Sequence, residues 1–135
     1  MEITRAQRAT QPGPAEWFTG QVWLDHIVAA APPPRARAIS VHFTPGARTA
    51  WHHHPAGQVI HVTEGSGLAQ RRGGPVEAIR AGDSVRFDPH EEHWHGAAPD
   101  HFMTHLAIHE ADDDGANAVW GPHVTDAEYR GETAG

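Results

Sequence analysis

The sequence predicts an all-β fold, an antiparallel sandwich or barrel followed by a short C-terminal helical turn. Three observations carry this expectation. Short, partly alternating apolar segments recur at roughly 8–12-residue spacing, turn-forming clusters separate them, and helix-start signals are scarce. The 135 residues suffice for one core but not for two of ordinary size. A single domain is therefore expected over 1–135, with an N-terminal arm over about 1–20, a barrel over about 36–110 and a C-terminal extension over about 111–135.

Taken in chain order, "PAEWFTGQVWLDHI" (14–27) is expected to add a strand, or an arm that covers a neighbour. The proline-rich "AAAPPPRAR" (29–37) reads as an extended connector. Strands are expected in "RAISVHFT" (37–44), "GQVIHVTE" (57–64), "LAQRR" (68–72), "VEAIR" (76–80), "SVRFD" (84–88) and "HFMTHLAIHE" (101–110). The turn signals "PGAR", "EGSG", "RGGP", "AGD", "DPHEE" and "APD" lie between them. The acidic "EADDDGANA" (110–118) reads as a solvated loop leaving the last strong strand. One capping-box pattern, Thr125 with Glu128 three residues on, opens the expected helical turn.

Composition narrows the function classes. The net charge is −7 with no basic run, which argues against a nucleic-acid surface or a polybasic membrane patch. No apolar run reaches the length needed to span a bilayer, and "MEITRAQRAT" lacks the apolar core of a signal peptide, so a cytoplasmic location is expected. Cysteine is absent and all ten basic residues are arginine, which excludes thiolate metal sites, a cysteine nucleophile and a lysine Schiff base. Histidine, by contrast, occurs 13 times. Imidazole is the commonest metal ligand and the side chain best suited to proton transfer near neutral pH.

Strand parity sorts these histidines, because residues two apart share a face. In "WHHHPAGQ", His52 and His54 point together and His53 is opposed; after the "PAG" turn, Gln58, Ile60 and Val62 share a face. "EEHWHG" pairs His93 with His95 and turns Trp94 away. "HFMTHLAIHE" pairs His105 and His109 with Ala107, while Leu106 and Ile108 face outward. A lone histidine is more often structural than catalytic. Three separate segments that each offer a same-face pair are a poor fit to chance.

The spacing Gly46-x5-His52-x-His54-x3-Gln58-x6-Gly65 resembles the first cupin motif, G-x5-H-x-H-x3-E-x6-G, and Gly82-x10-His93 has the spacing of the second, G-x5-P-x-G-x2-H. Sixteen residues separate Gly65 from Gly82, which suits the short hairpin between the motifs in small bacterial cupins. There are departures. Gln58 replaces the acidic ligand, the proline falls one position late at Pro89, His90 stands where glycine is common, and Ala97 replaces the terminal asparagine. The stretches "FTPGARTAWHHHPAGQ", "AQRRGG", "EEHWHGAAP", "MTHLAIHE" and "HVTDAEY" are similar, in that order, to the single-domain bacterial cupins that include the manganese-dependent (R)-selective hydroxynitrile lyases.

This resemblance implies a single-domain cupin, a jelly-roll barrel or double-stranded β-helix, in which His52, His54, Gln58 and His93 bind a divalent metal ion. Manganese is the first expectation, and iron, nickel, cobalt and zinc suit the same nitrogen and oxygen ligands. Glutamine in place of glutamate removes one negative charge, which makes the ion a stronger Lewis acid and a better host for an anionic ligand. His105, His109 and His95 are then expected to act as general acid and base. Ile39, Val41, Ile60 and Val62 are expected to wall the substrate pocket, and His26, His42, His53, His61, His101 and His123 to be surface or structural. The implied reaction is reversible cleavage of an α-hydroxynitrile such as mandelonitrile to an aldehyde and HCN. The alternatives are an iron-dependent dioxygenase and a non-catalytic small-molecule-binding cupin. The expected partners are a small-molecule substrate and further copies of the chain, as a homodimer or homotetramer, with no nucleic acid or membrane.

Overall fold

The structure, a computed structural model, describes residues 1, 3–5, 9–28, 36–110 and 118–132. Most of the connector expected at 29–37 and most of the acidic loop expected at 110–118 lie outside the described residues. The chain runs β1 (Gln11–Pro12), β2 (Phe18–Thr19), β3 (Val22–Val28), β4 (Ala36–Phe43), β5 (Arg48–Thr49), β6 (His52–His53), β7 (Gln58–Arg71), β8 (Glu77–Arg80), β9 (Ser84–Phe87), β10 (His93–Ala97), β11 (Met103–Glu110), β12 (Val119–Trp120) and helix α1 (Asp126–Tyr129). All the pairings are antiparallel. The curled sheet has the order β1-β3-β4-β11-β7-β10-β5-β2, with β6 on β10, β12 on β6, and β8 and β9 on β7. No helix among the described residues is long and apolar enough to cross a membrane.

One expectation is corrected. "EGSG" is not a turn: β7 runs unbroken for 14 residues through it. Its first half pairs with β9 and β11 and its second half with β8 and β10, so this single strand joins the two faces of the barrel. The glycines are there for the bend rather than for a reversal. Gly65 has φ +81°, and a Cβ at that position would collide with the Phe102 carbonyl.

Alternation along the strands divides the interior into two apolar groups. The barrel core contains Phe43, Ile60, Val62, Phe87 and Met103. A second cluster joins Trp51, Trp94, Val124 and Tyr129 beneath α1. Because β10 lies between the two, all five of its residues are buried, with Trp94 turned to the second cluster. Each such fully buried side chain contributes about 1.5–3 kcal/mol. The predicted capping box is present: the Thr125 hydroxyl accepts from the Glu128 backbone N–H, and the Glu128 carboxylate accepts from the Thr125 backbone N–H. The Tyr129 hydroxyl donates to the Ala97 carbonyl at 2.6 Å, and the Arg48 guanidinium donates to the Val124 carbonyl at 2.7 Å. The C-terminal turn is thereby tied to the strand that carries His93 and His95.

Candidate functional site

Cross-strand register assembles the site. On β4, β11 and β7, Arg37, His109 and Gln58 form one row, Ile39, Ala107 and Ile60 a second, and Val41, His105 and Val62 a third. On the facing layer His93 of β10 pairs with His52 of β6. His52, His54, Gln58, His93, His95, His105 and His109 are all buried, whereas His53 is half-buried and Ile108 exposed. Strand parity sorts the histidines in the fold as it does in the sequence.

The potential ligand atoms of His52, His93 and His95 all lie within 4.8 Å of one another. His54 is adjacent, with its ring 5.1 Å from His52 and 5.9 Å from His93. His95, expected as a proton-transfer group, is thus part of the tightest cluster. Local geometry sets the tautomers. His52 Nδ1 lies 2.9 Å from the Ala50 carbonyl and His93 Nδ1 2.8 Å from the Glu91 carbonyl. A carbonyl can only accept, so in both rings Nδ1 carries the proton and Nε2 is left with its lone pair. The His93 Nε2 lone pair then meets Gln58 Oε1 at 3.2 Å, two acceptors side by side in a buried position. A shared cation satisfies that arrangement, and the nitrogen and oxygen donors suit a divalent ion.

Burial holds the cluster neutral. It is the main cause lowering His52 and His95 well below the usual imidazole value, with His93 the next cause for His52 and His105 for His95. Burial likewise brings His93 and His105 down to about 3, partly opposed at His93 by its hydrogen bond to the Glu91 carbonyl. His109 is lowered to about 4 by burial, then by His54 and Arg37. Neutral imidazole is the form that binds metal or accepts a proton.

His95 and His105 are coupled directly, with His105 Nε2 2.9 Å from His95 Nδ1. One proton lies between these nitrogens. If it belongs to His95, His95 Nε2 keeps a lone pair and can be a ligand, while His105 carries its own proton on Nδ1. If it belongs to His105, His95 Nε2–H becomes a donor and His105 Nδ1 a lone pair. His95 as ligand and neutral His105 as base at Nδ1 are therefore mutually exclusive. Neither His95 Nε2 nor His105 Nδ1 has a hydrogen-bond partner among the described residues.

A cavity of about 490 Å³ opens onto this cluster, within the size range of small-molecule sites. Ile39 and Val41 lie in its wall as expected, together with Leu24 and Ala107. Ile60 and Val62 do not: both have zero exposure and are packed with Phe43, Phe87 and Met103, so the interior beside β7 is filled rather than hollow. His26, expected to be structural or on the surface, lines the cavity. His42, by contrast, is tied to Asp25 at 2.8 Å and Thr104 at 3.1 Å.

Sequence reasoning missed an aromatic wall of Trp17, Phe18 and Trp120. Trp120 stacks on Trp17 at 5.0 Å and on the ring of His52 at 4.6 Å. Nothing in the local pattern of "EWF" or "AVWGP" marks these residues, because they reach the cavity from the turn before β2, from β2 and from β12, near opposite ends of the chain. It also missed Arg37, for which a signal existed: Arg37 shares parity with Ile39 and Val41.

Comparison with known proteins agrees with this architecture. Residues 39–108 match the Cupin domain family. The chain is 55% identical over 131 residues to an (R)-mandelonitrile lyase of Granulicella tundricola, covering 96% of this chain and 99% of that protein. A cupin-like protein of Thermotoga maritima superposes with a TM-score of 0.84 at 41% identity, over 92% of this chain and 93% of the other. A cupin-2 domain protein of Rhodospirillum rubrum shares the fold with a TM-score of 0.71 at 15% identity, over 95% and 82% of the two chains. With its barrel, motif spacing and buried histidine cluster in agreement with these matches, the chain belongs to the cupin domain family.

Proposed function

We propose that this cupin is a metal-dependent hydroxynitrile lyase that cleaves or forms α-hydroxynitriles such as mandelonitrile. The observation that carries this reading is the 55% identity, over nearly the whole of both chains, to a protein that is an (R)-mandelonitrile lyase. The cavity supports it. Its size and its wall of Trp17, Phe18 and Trp120 suit an aryl cyanohydrin, and its buried imidazoles offer proton transfer beside a cation site.

In this reading His52, His54, Gln58 and His93 hold a divalent ion, manganese first, which supplies Lewis acidity towards the hydroxyl oxygen. The proton shared by His95 and His105 then belongs to His105. The lone pair of His105 Nδ1 takes the hydroxyl proton as the C–C bond breaks, and the bonding pair leaves with cyanide. The Nε2–H of His95 holds the departing cyanide, and His95 or His109 returns a proton to give HCN. Aldehyde and HCN together contain all the atoms of the substrate, and no oxidant enters.

The test is cleavage of racemic mandelonitrile by purified protein, following benzaldehyde and cyanide, with and without a chelator and with and without oxygen. Cleavage that needs the metal and ignores oxygen is expected. An oxygen requirement would favour a dioxygenase, and metal-dependent ligand binding without turnover a binding protein. We also propose a cytoplasmic homodimer or homotetramer. The adjacent, exposed Ile108 and Val59 on the outer face of β11 and β7 support pairing, which sedimentation at micromolar concentration tests.

A further inference from the structure

The rings of His52 and His93 are each held in two ways. At the edge, Nδ1 of each faces a backbone carbonyl, that of Ala50 at 2.9 Å and that of Glu91 at 2.8 Å. On the face, each meets an aromatic ring: Phe87 stacks on His93 at 3.5 Å and 8°, and Trp120 stacks on His52 at 4.6 Å and 27°. The two aromatic supports differ in origin. Phe87 belongs to the barrel core, whereas Trp120 arrives on β12, after the chain has left the last long strand.

The backbone delivers Trp120 to His52. β12 pairs antiparallel with β6 in a register that sets Trp120 directly opposite His52, and side chains opposed in this way share a face. Two further hydrogen bonds extend the pairing, from the Gly121 N–H to the Trp51 carbonyl at 2.7 Å and from the Trp51 N–H to the Pro122 carbonyl at 2.9 Å. Trp17 stacks on Trp120 at 5.0 Å and 7°, and its carbonyl accepts from the Ala50 N–H at 2.7 Å. The Ala50 carbonyl is in turn the acceptor for His52 Nδ1, so the contacts close on themselves: Trp17, Ala50, His52, Trp120 and back to Trp17. A ring held at edge and face is ordered before any ligand arrives, and donors ordered in advance bind more tightly because that cost is not repeated. The stack also favours a ligated ring. An imidazole that shares its lone pair with a cation gains positive charge, and indole is the aromatic face that attracts it best.

We infer that Trp120, backed by Trp17, is a positioning residue for His52: it fixes the imidazole beside His93 and His95 and so tightens the hold on a divalent ion. All three rings line the cavity, so the wall on which a substrate packs is also the brace of the histidine. The inference rests on the proposed reading in which His52 is a metal ligand. It adds to that reading two residues from outside the stretch 39–108 that matches the family.

The experiment is competition for Mn²⁺ between the protein and a chelator of known affinity, on wild type, Trp120→Phe, Trp120→Leu and Trp17→Ala, with urea unfolding of each metal-free protein alongside. Trp120→Leu keeps apolar bulk without a ring face and is expected to bind Mn²⁺ about tenfold more weakly, the scale for losing a group that orients a ligand. Trp120→Phe should stay within about twofold, and Trp17→Ala should lose about threefold, the lower end for one aromatic pair. Wild-type affinity in folded Trp120→Leu overturns the inference and leaves Trp120 a wall; equal loss in Trp120→Phe and Trp120→Leu overturns it too, because the ring face is then immaterial. A second readout needs no metal. In the metal-free protein the His52 Nδ1–H resonance should be sharp in wild type and Trp120→Phe and broadened by exchange in Trp120→Leu; a resonance equally sharp in all three overturns the inference. If Trp120→Leu does not fold, Trp17→Ala decides, and undiminished affinity there counts against the brace. Absence of Mn²⁺ binding by wild type would sink the metal-dependent reading, and the resonance would still decide whether Trp120 holds the ring.

Discussion

His105 Nε2 and His95 Nδ1 stand 2.9 Å apart with both rings buried, so a single proton sets the roles of two imidazoles. The contact couples the two rings: moving the shared proton from one to the other exchanges donor and acceptor character at the outer nitrogen of each.

The first prediction concerns this pair. His105→Ala should lower kcat for mandelonitrile cleavage by about 10²–10⁴-fold, the usual contribution of a positioned base. Metal content should be unchanged. A near-wild-type rate with metal retained would remove His105 from the mechanism.

The second separates ligands from neighbours. His52→Ala and His93→Ala should lose bound metal, as both Nε2 lone pairs are committed inward by their Nδ1 bonds to carbonyls. His54→Ala should bind metal more weakly, and His95→Ala should keep it while losing cleavage. Metal analysis after gel filtration reads all four. Loss of metal from His95→Ala with retention in His54→Ala would make the compact His52, His93, His95 triad the ligand set instead.

The third is a pH dependence of stability. His93 and His105 are lowered to about 3 and His109 to about 4, against a usual value of 6.5. Between those limits the unfolded chain binds protons that the folded chain does not, so stability rises with pH. Stability is lost as pH falls below about 6.5, by about 1.4 kcal/mol per pH unit for each proton taken up on unfolding. Chelator-treated protein should therefore melt at progressively lower temperature from pH 7 to pH 4. A flat profile would mean that these rings are charged in the fold.

The fourth concerns the loop before His93. His90 is exposed and has φ +65°, the left-handed region, at the position where glycine is common in the second motif. That conformation costs a non-glycine residue about 1–2 kcal/mol, partly offset by the greater unfolded-state entropy of glycine. His90→Gly should stabilise the protein by up to about 1 kcal/mol in urea unfolding. Destabilisation would show that the side chain of His90, 5.7 Å from the ring of His53, contributes more than its backbone costs.

Much of the site was legible in the chain because its histidines lie on strands, where parity alone assigns faces. His53 points away from His52 and His54, and Trp94 away from His93 and His95, as the two-residue period requires. "EGSG" was misread because glycine signals both reversal and bending, and the local sequence does not distinguish them. Ile60 and Val62 were misplaced for a different reason: parity tells that a residue faces inward but not whether the interior there is packed or hollow.

The sequence by itself determined the all-β class, the histidine pairs, the motif spacing and the C-terminal capping box, all of which depend on residues close together along the chain. Only the tertiary structure decided that His95 lies against His52, His93 and His105, that Trp17 and Trp120 stack into one wall, and that Arg37 and His26 enter the cavity. Those relationships depend on strand order and register, which bring residues from opposite ends of the chain within a few ångströms of one another.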